Sequence, residues 1–239
     1  MKKQTIHCLL ACILCGLSSC DSGDIQPKDD STDGLKIKIT AVFSLSNVQT
    51  FPTNYKIAIA SFSGSSLYPG SYTTIDKPAN ENDLVTATLS GIPEGTTSVS
   101  LCLLQAVGNK KVYSFYNYPL AEIPKTDLII PQQHIDLAPL GRLSAQLFSQ
   151  CIQCHGGGSS AAAGLYLTPD SVYKYLVNHV AKNSIKNRVT PYSTGNSFLM
   201  DVLQTKNVVK YNHTDISTLN AEDITLTEAW IMSGAKNNN

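Results

Sequence analysis

The chain has 239 residues, enough for one large domain or two small ones. Its 18 Lys and Arg balance 18 Asp and Glu, so nothing in the charge points to nucleic acid as a partner, and no block of like charge reads as an electrostatic tail. Hydrophobic residues make up 42%, which supplies ordinary globular cores.

Lys2 and Lys3 open the chain with positive charge, and residues 6–17 follow as a mostly apolar run, too short to span a bilayer stably. The run ends in Leu17-Ser18-Ser19-Cys20. Small residues directly before a cysteine resemble the lipobox of bacterial lipoproteins. That resemblance implies a signal peptide over 1–20, with Cys20 lipidated as the first mature residue and the protein held to the cell envelope through its lipid. The alternative is an ordinary signal peptide with an incidental cysteine. Residues 21–34 are rich in Asp, Ser, Gly and Pro without apolar period, which predicts a flexible tether.

Of the seven cysteines, Cys8, Cys12, Cys15 and Cys20 belong to the leader. The remaining three, Cys102, Cys151 and Cys154, do not make a disulfide scaffold. Cys102 sits in an alternating run, on the opposite face from Val99, Leu101 and Leu103, where packing in a strand is its expected role.

From 35 to 137 the apolar period is two. Leu35, Ile37 and Ile39 alternate with polar residues, as do Tyr55, Ile57 and Ile59, then Val85, Ala87 and Leu89, then Val99, Leu101 and Leu103. Further runs at 111–117 and 127–130, with turns at Pro69-Gly70 and Gly108-Asn109, predict about six or seven short strands in an antiparallel β-sandwich. The stretch Leu89-Ser90-Gly91-Ile92-Pro93-Glu94-Gly95 resembles immunoglobulin-like or transthyretin-like bacterial modules over a single hairpin. This half carries no carboxylate pair or nucleophile signature. Tyr113, Phe115, Tyr116 and Tyr118 form an aromatic cluster that reads as strand packing, with a binding surface as the alternative.

From 138 to 239 the period becomes helical. Leu143, Leu147, Phe148 and Cys151 share one helix face. Thr168-Pro169-Asp170 reads as a helix start, opening a helix whose apolar face carries Val172, Tyr173, Leu176, Val177 and Val180. A short helix carries Phe198, Leu199 and Leu203. The last begins at Asn220, buries Ile224, Leu226 and Trp230, and ends at Gly234.

The chemistry lies in Cys151-Ile152-Gln153-Cys154-His155. Two intervening residues set the thiols one helical turn apart, the spacing at which two cysteines form thioethers with the vinyl groups of a haem. The adjacent histidine then falls beneath the iron. A zinc site would need a second ligand pair at matching spacing, and a thioredoxin-like redox pair a βαβ setting. A plain disulfide would leave His155 idle.

Beyond that motif, the chain from 138 to 236 resembles the small c-type cytochrome domains of bacterial exported proteins. The resemblance runs through Cys151 to His155 with Gly156-Gly157-Gly158, and Gly164-Leu165-Tyr166-Leu167. It continues through Val189-Thr190-Pro191 with Asn196-Ser197-Phe198-Leu199, then Leu219-Asn220-Ala221-Glu222-Asp223 and Trp230-Ile231-Met232-Ser233-Gly234-Ala235. It implies one covalent haem c on Cys151 and Cys154 with His155 as proximal iron ligand, and a pocket of Leu165, Leu176, Leu199, Leu203 and Trp230. The implied fold class is α+β by segregated domains, a β-sandwich followed by an all-α small cytochrome c domain.

One departure matters. Such domains place a Met-Pro pair shortly before the last helix, and that Met is the sixth iron ligand. This chain has Tyr211-Asn212-His213-Thr214-Asp215 there. His213 is therefore the expected distal ligand, with Met200 as the alternative. The reading that follows is a lipid-anchored electron carrier facing the periplasm or the outer-membrane surface, working with a redox protein partner, and not an enzyme. Its rivals are a haem that binds a gas or acts as a peroxidase through an open sixth site, and a surface adhesion or glycan-binding lipoprotein with an accessory haem domain.

Overall fold

In the computed structural model, which describes residues 36–50, 54–157, 161–216 and 218–238, the segment from 39 to 136 forms seven strands. The leader with Cys20, the tether, Leu35 and Gly158 lie outside the described residues. In β1 (Ile39–Ser46), Ile39, Ala41, Phe43 and Leu45 are buried and alternate with half-buried neighbours, as a pleated strand with one face on a core requires. The others are β2 (Tyr55–Phe62), β3 (Ser71–Thr74), β4 (Leu84–Leu89), β5 (Ser98–Gln105), β6 (Lys111–Pro119) and β7 (Leu128–Asp136).

They form two sheets, ordered β4-β1-β7 and β3-β2-β5-β6. β1 pairs antiparallel with β4 but parallel with β7, from Ile39 opposite Leu128 to Ser46 opposite Asp136. A purely antiparallel arrangement is therefore corrected. Apolar periodicity reports which face a strand buries and carries no information on which way its neighbour runs. β2 and β5 are apolar on both faces. One face joins the main core, and on the other Ala58, Ala60, Phe62, Cys102 and Leu104 make a second buried cluster.

The expectation of an all-α C-terminal domain is overturned. The helices are α1 (Pro139–Gln146), α2 (Ile152–His155), α3 (Val172–Leu176), α4 (Phe198–Gln204) and α5 (Ala221–Met232), so most of this region is turn and extended backbone and the chain is of mixed class. The shortfall is clearest after Thr168. The helix expected to run through Val180 stops at Leu176, because Val177 is extended and Asn178 takes a left-handed φ of 56°. Val177 then bridges to Val189 and Val180 to Asn187. These β-branched residues, read as a helical stripe, serve extended backbone instead. Likewise the face of Leu143, Leu147, Phe148 and Cys151 spans α1 and a 3-10 turn at Phe148–Cys151, not one helix.

α5 follows its sequence signals more closely. Asn220 caps it by accepting from the Glu222 N–H, and Gly234 ends it at a φ of 98°. The helix lies along the free edge of β6. Glu222 accepts from the Ser114 N–H at 3.0 Å and pairs with Lys111 at 2.9 Å, and the Thr225 hydroxyl donates to the Val112 carbonyl. An edge strand with unpaired backbone groups is a template for aggregation, and α5 covers it. Leu140, Leu143, Leu147, Phe148, Leu226 and Trp230 share one buried core with the inner faces of both sheets.

Candidate functional site

α2 is a single helical turn carrying the chemistry. Cys151 is half-buried, Cys154 is exposed, and both are free thiols. Burial pushes the Cys151 thiol up, and the neighbouring Cys154 adds to the shift. The turn must end in glycine: a Cβ at Gly156 would collide with the Ile152 carbonyl oxygen. The chain then returns, and the Leu167 N–H donates to the His155 carbonyl at 2.7 Å.

His155 is half-buried, with Nδ1 3.0 Å from the Ala162 carbonyl. A carbonyl only accepts, so Nδ1 carries the proton and Nε2 of the neutral ring keeps its lone pair. Burial lowers the His155 pKa, and nearby His213 and Arg188 lower it further. The neutral form, the one that binds a metal, is thus favoured. His213 is built the same way. It opens a 3-10 turn (His213–Asp215), its Nδ1 lies 3.0 Å from the Tyr211 carbonyl, and burial lowers its pKa.

The two rings are 6.2 Å apart, centre to centre, and 24° from parallel. Two metal–imidazole bonds of about 2 Å, plus about 1 Å from each nitrogen to its ring centre, require roughly 6 Å. The other described histidines lie elsewhere: His134 bonds the Ser44 and Ser46 hydroxyls on β1, and His179 is exposed against Tyr175.

Cys151, Cys154, His155 and His213 all line one cavity of about 580 Å³, within the range of cofactor pockets. Leu165, Leu176 and Leu199 line it as well. The other residues expected there are not among its walls. Met200 is 3% exposed and Leu203 7%, both in the main core, and Trp230 is 1% exposed with its indole N–H donating to the Lys236 carbonyl at 2.9 Å. On α4 the wall is made by Phe198, Leu199 and Val202. Val202 follows Leu199 by one turn, a helical spacing that would have found it.

Arg188 also lines the cavity, and no sequence signal marked it, because Lys186-Asn187-Arg188 reads as a solvated polar run. It is 7% exposed, and its guanidinium donates to the carbonyls of Tyr175 at 2.9 Å, Ala163 at 2.9 Å and Gly164 at 3.2 Å. Burial lowers its pKa.

Among the described residues, no group of three or more His, Cys, Asp or Glu is arranged to hold a bare metal ion. A structural zinc needs four such donors, whereas a haem iron receives four from its porphyrin and takes one or two from the protein. The donor set here is two imidazoles and two thiols lining one largely apolar cavity, and it fits that demand. No family model, no curated protein and no solved structure matches the chain, so the chemistry of the site rests on its own atoms.

Proposed function

We propose that this protein is an exported electron carrier with one haem c in the cavity, held to the cell envelope by a lipid on Cys20. The observation that carries the reading is the pair His155 and His213, 6.2 Å between ring centres and each with Nδ1 tied to a carbonyl, in the same cavity as Cys151 and Cys154. Bound haem supplies a one-electron couple. Cys151 and Cys154 fix its position through their sulfurs, and His155 and His213 offer Nε2 to its iron. Leu165, Leu176, Leu199 and Val202 exclude water and keep the local dielectric low. Two neutral imidazoles with no thioether favour the ferric state more than a His/Met pair does, which sets a lower reduction potential. The partner is a redox protein that meets the carrier at the envelope.

The test is to produce the full chain in a host with haem-attachment machinery. The expected product keeps its colour through acid–acetone extraction and gives a c-type pyridine haemochrome, while the Cys151→Ala, Cys154→Ala double variant loses its colour to the solvent. Colour that extracts from the unaltered chain would remove the covalent haem.

A further inference from the structure

The cavity has a charge asymmetry. Among the described residues its lining includes Lys182, Arg188 and Lys210 and no Asp or Glu. The two lysines are exposed, and water screens them. Arg188 is not in that position: it is 7% exposed, and among the described residues no carboxylate lies within 4.0 Å of it. Three carbonyls satisfy part of its fork but provide only partial charge. A buried cation without a counter-ion costs several kcal/mol, and guanidinium is the side chain best matched to a planar carboxylate.

We propose that Arg188 is the receptor for a carboxylate carried by the occupant of this cavity, and that it fixes which way round the occupant sits. Resting on the haem reading, that carboxylate is one of the two propionates. Arg188 acts at both ends of the site. It holds the carbonyls of Ala163 and Gly164, whose neighbour Ala162 holds Nδ1 of His155. Ala163 has a φ of 55° and Gly164 one of 60°, a left-handed pair that needs holding. One guanidinium thus joins the charged edge of the occupant to the turn that aims its axial ligand.

The experiment uses the full chain made without attachment machinery and two probes, ferric mesoporphyrin IX and its dimethyl ester. Neither has vinyl groups to react with the thiols, and they differ only in the carboxylates. Binding is followed by the growth of the Soret band. The wild-type chain is expected to bind the diacid about tenfold or more tighter than the diester, as a charged hydrogen-bonded pair allows. Arg188→Gln should remove that preference, and Arg188→Lys should restore part of it. Equal affinity for the two probes in the wild-type chain overturns the proposal without needing any variant that folds, and so does an unchanged preference in Arg188→Gln. A wild-type chain that binds neither probe overturns the haem reading itself, a different result from equal binding of both.

Discussion

The imidazoles of His155 and His213 lie 24° from parallel with centres 6.2 Å apart, and each ring spends its Nδ1 proton on a backbone carbonyl 3.0 Å away. A histidine so anchored has a fixed tautomer and a fixed ring plane. In both, Nε2 is left without the proton and free to bind.

His213→Ala is expected to remove one axial ligand while leaving the covalent attachment in place. The oxidised wild-type protein should be low-spin and lack a methionine–iron band. The variant should be high-spin and bind carbon monoxide when reduced. An unchanged low-spin spectrum would falsify the assignment of His213.

Met200 and Trp230 are expected to matter for folding and not for the iron. Met200→Leu, a volume-conserving change in the core, should cost under about 1.5 kcal/mol and leave the spectrum low-spin. Trp230→Phe removes the donor to the Lys236 carbonyl and should cost about 1–3 kcal/mol for the acceptor left alone. Denaturant unfolding gives both values. A Met200 variant that turned high-spin would return the methionine to the iron.

Alkaline pH should find Cys102. Burial pushes its thiol up from 9.0 to about 12. A raised pKa means the folded state resists ionisation, so this stabilisation is complete below pH 9 and is lost as pH rises towards 12. Tyr113 and Tyr55, also raised by burial, lose stability in the same direction. Cys102→Ala should therefore shift the alkaline unfolding midpoint upward without abolishing the transition. At pH 8 iodoacetamide should label Cys151 and Cys154 in the haem-free chain and spare Cys102. Labelling of Cys102 at the rate of the other two would show that its site opens to solvent.

Glu222 is expected to protect β6. Glu222→Ala leaves the Ser114 N–H without its acceptor and Lys111 without its partner, which should cost about 1–3 kcal/mol. Lys111→Ala, which loses the partly exposed ion pair and the contact of its ammonium with the Phe62 ring, should cost less, about 1 kcal/mol. The order of the two thermal midpoints checks this. A more damaging Lys111→Ala would mean that the ion pair, not the edge bond, holds α5.

The strand half was legible because alternation is a local signal: Ile39, Ile57, Ala87 and Leu101 each carry it within their own run. What escaped was non-local. β3 is the short polar run Ser71-Tyr72-Thr73-Thr74, which alternates nothing apolar. The parallel partnership of β1 and β7 joins segments nearly ninety residues apart. In the site, Cys151, Cys154 and His155 announced themselves by spacing. His213 stood out because a histidine occupies the place of an expected methionine. Leu203 and Trp230, expected at the pocket, lie in the main core and not among the cavity's walls, because apolar character says buried and not against what. Arg188 was missed for the converse reason, since burial of a charge is decided by the loops that enclose it.

The shared core across α1, α5 and both sheets has a thermodynamic consequence. If the same side chains seal the sandwich and support the cavity, neither can melt while the other stays native, and calorimetry should record a single endotherm with equal calorimetric and van't Hoff enthalpies. An occupant bound only by the native state would raise that one transition as a whole. Circular dichroism of the strands would then register whether the cavity is filled.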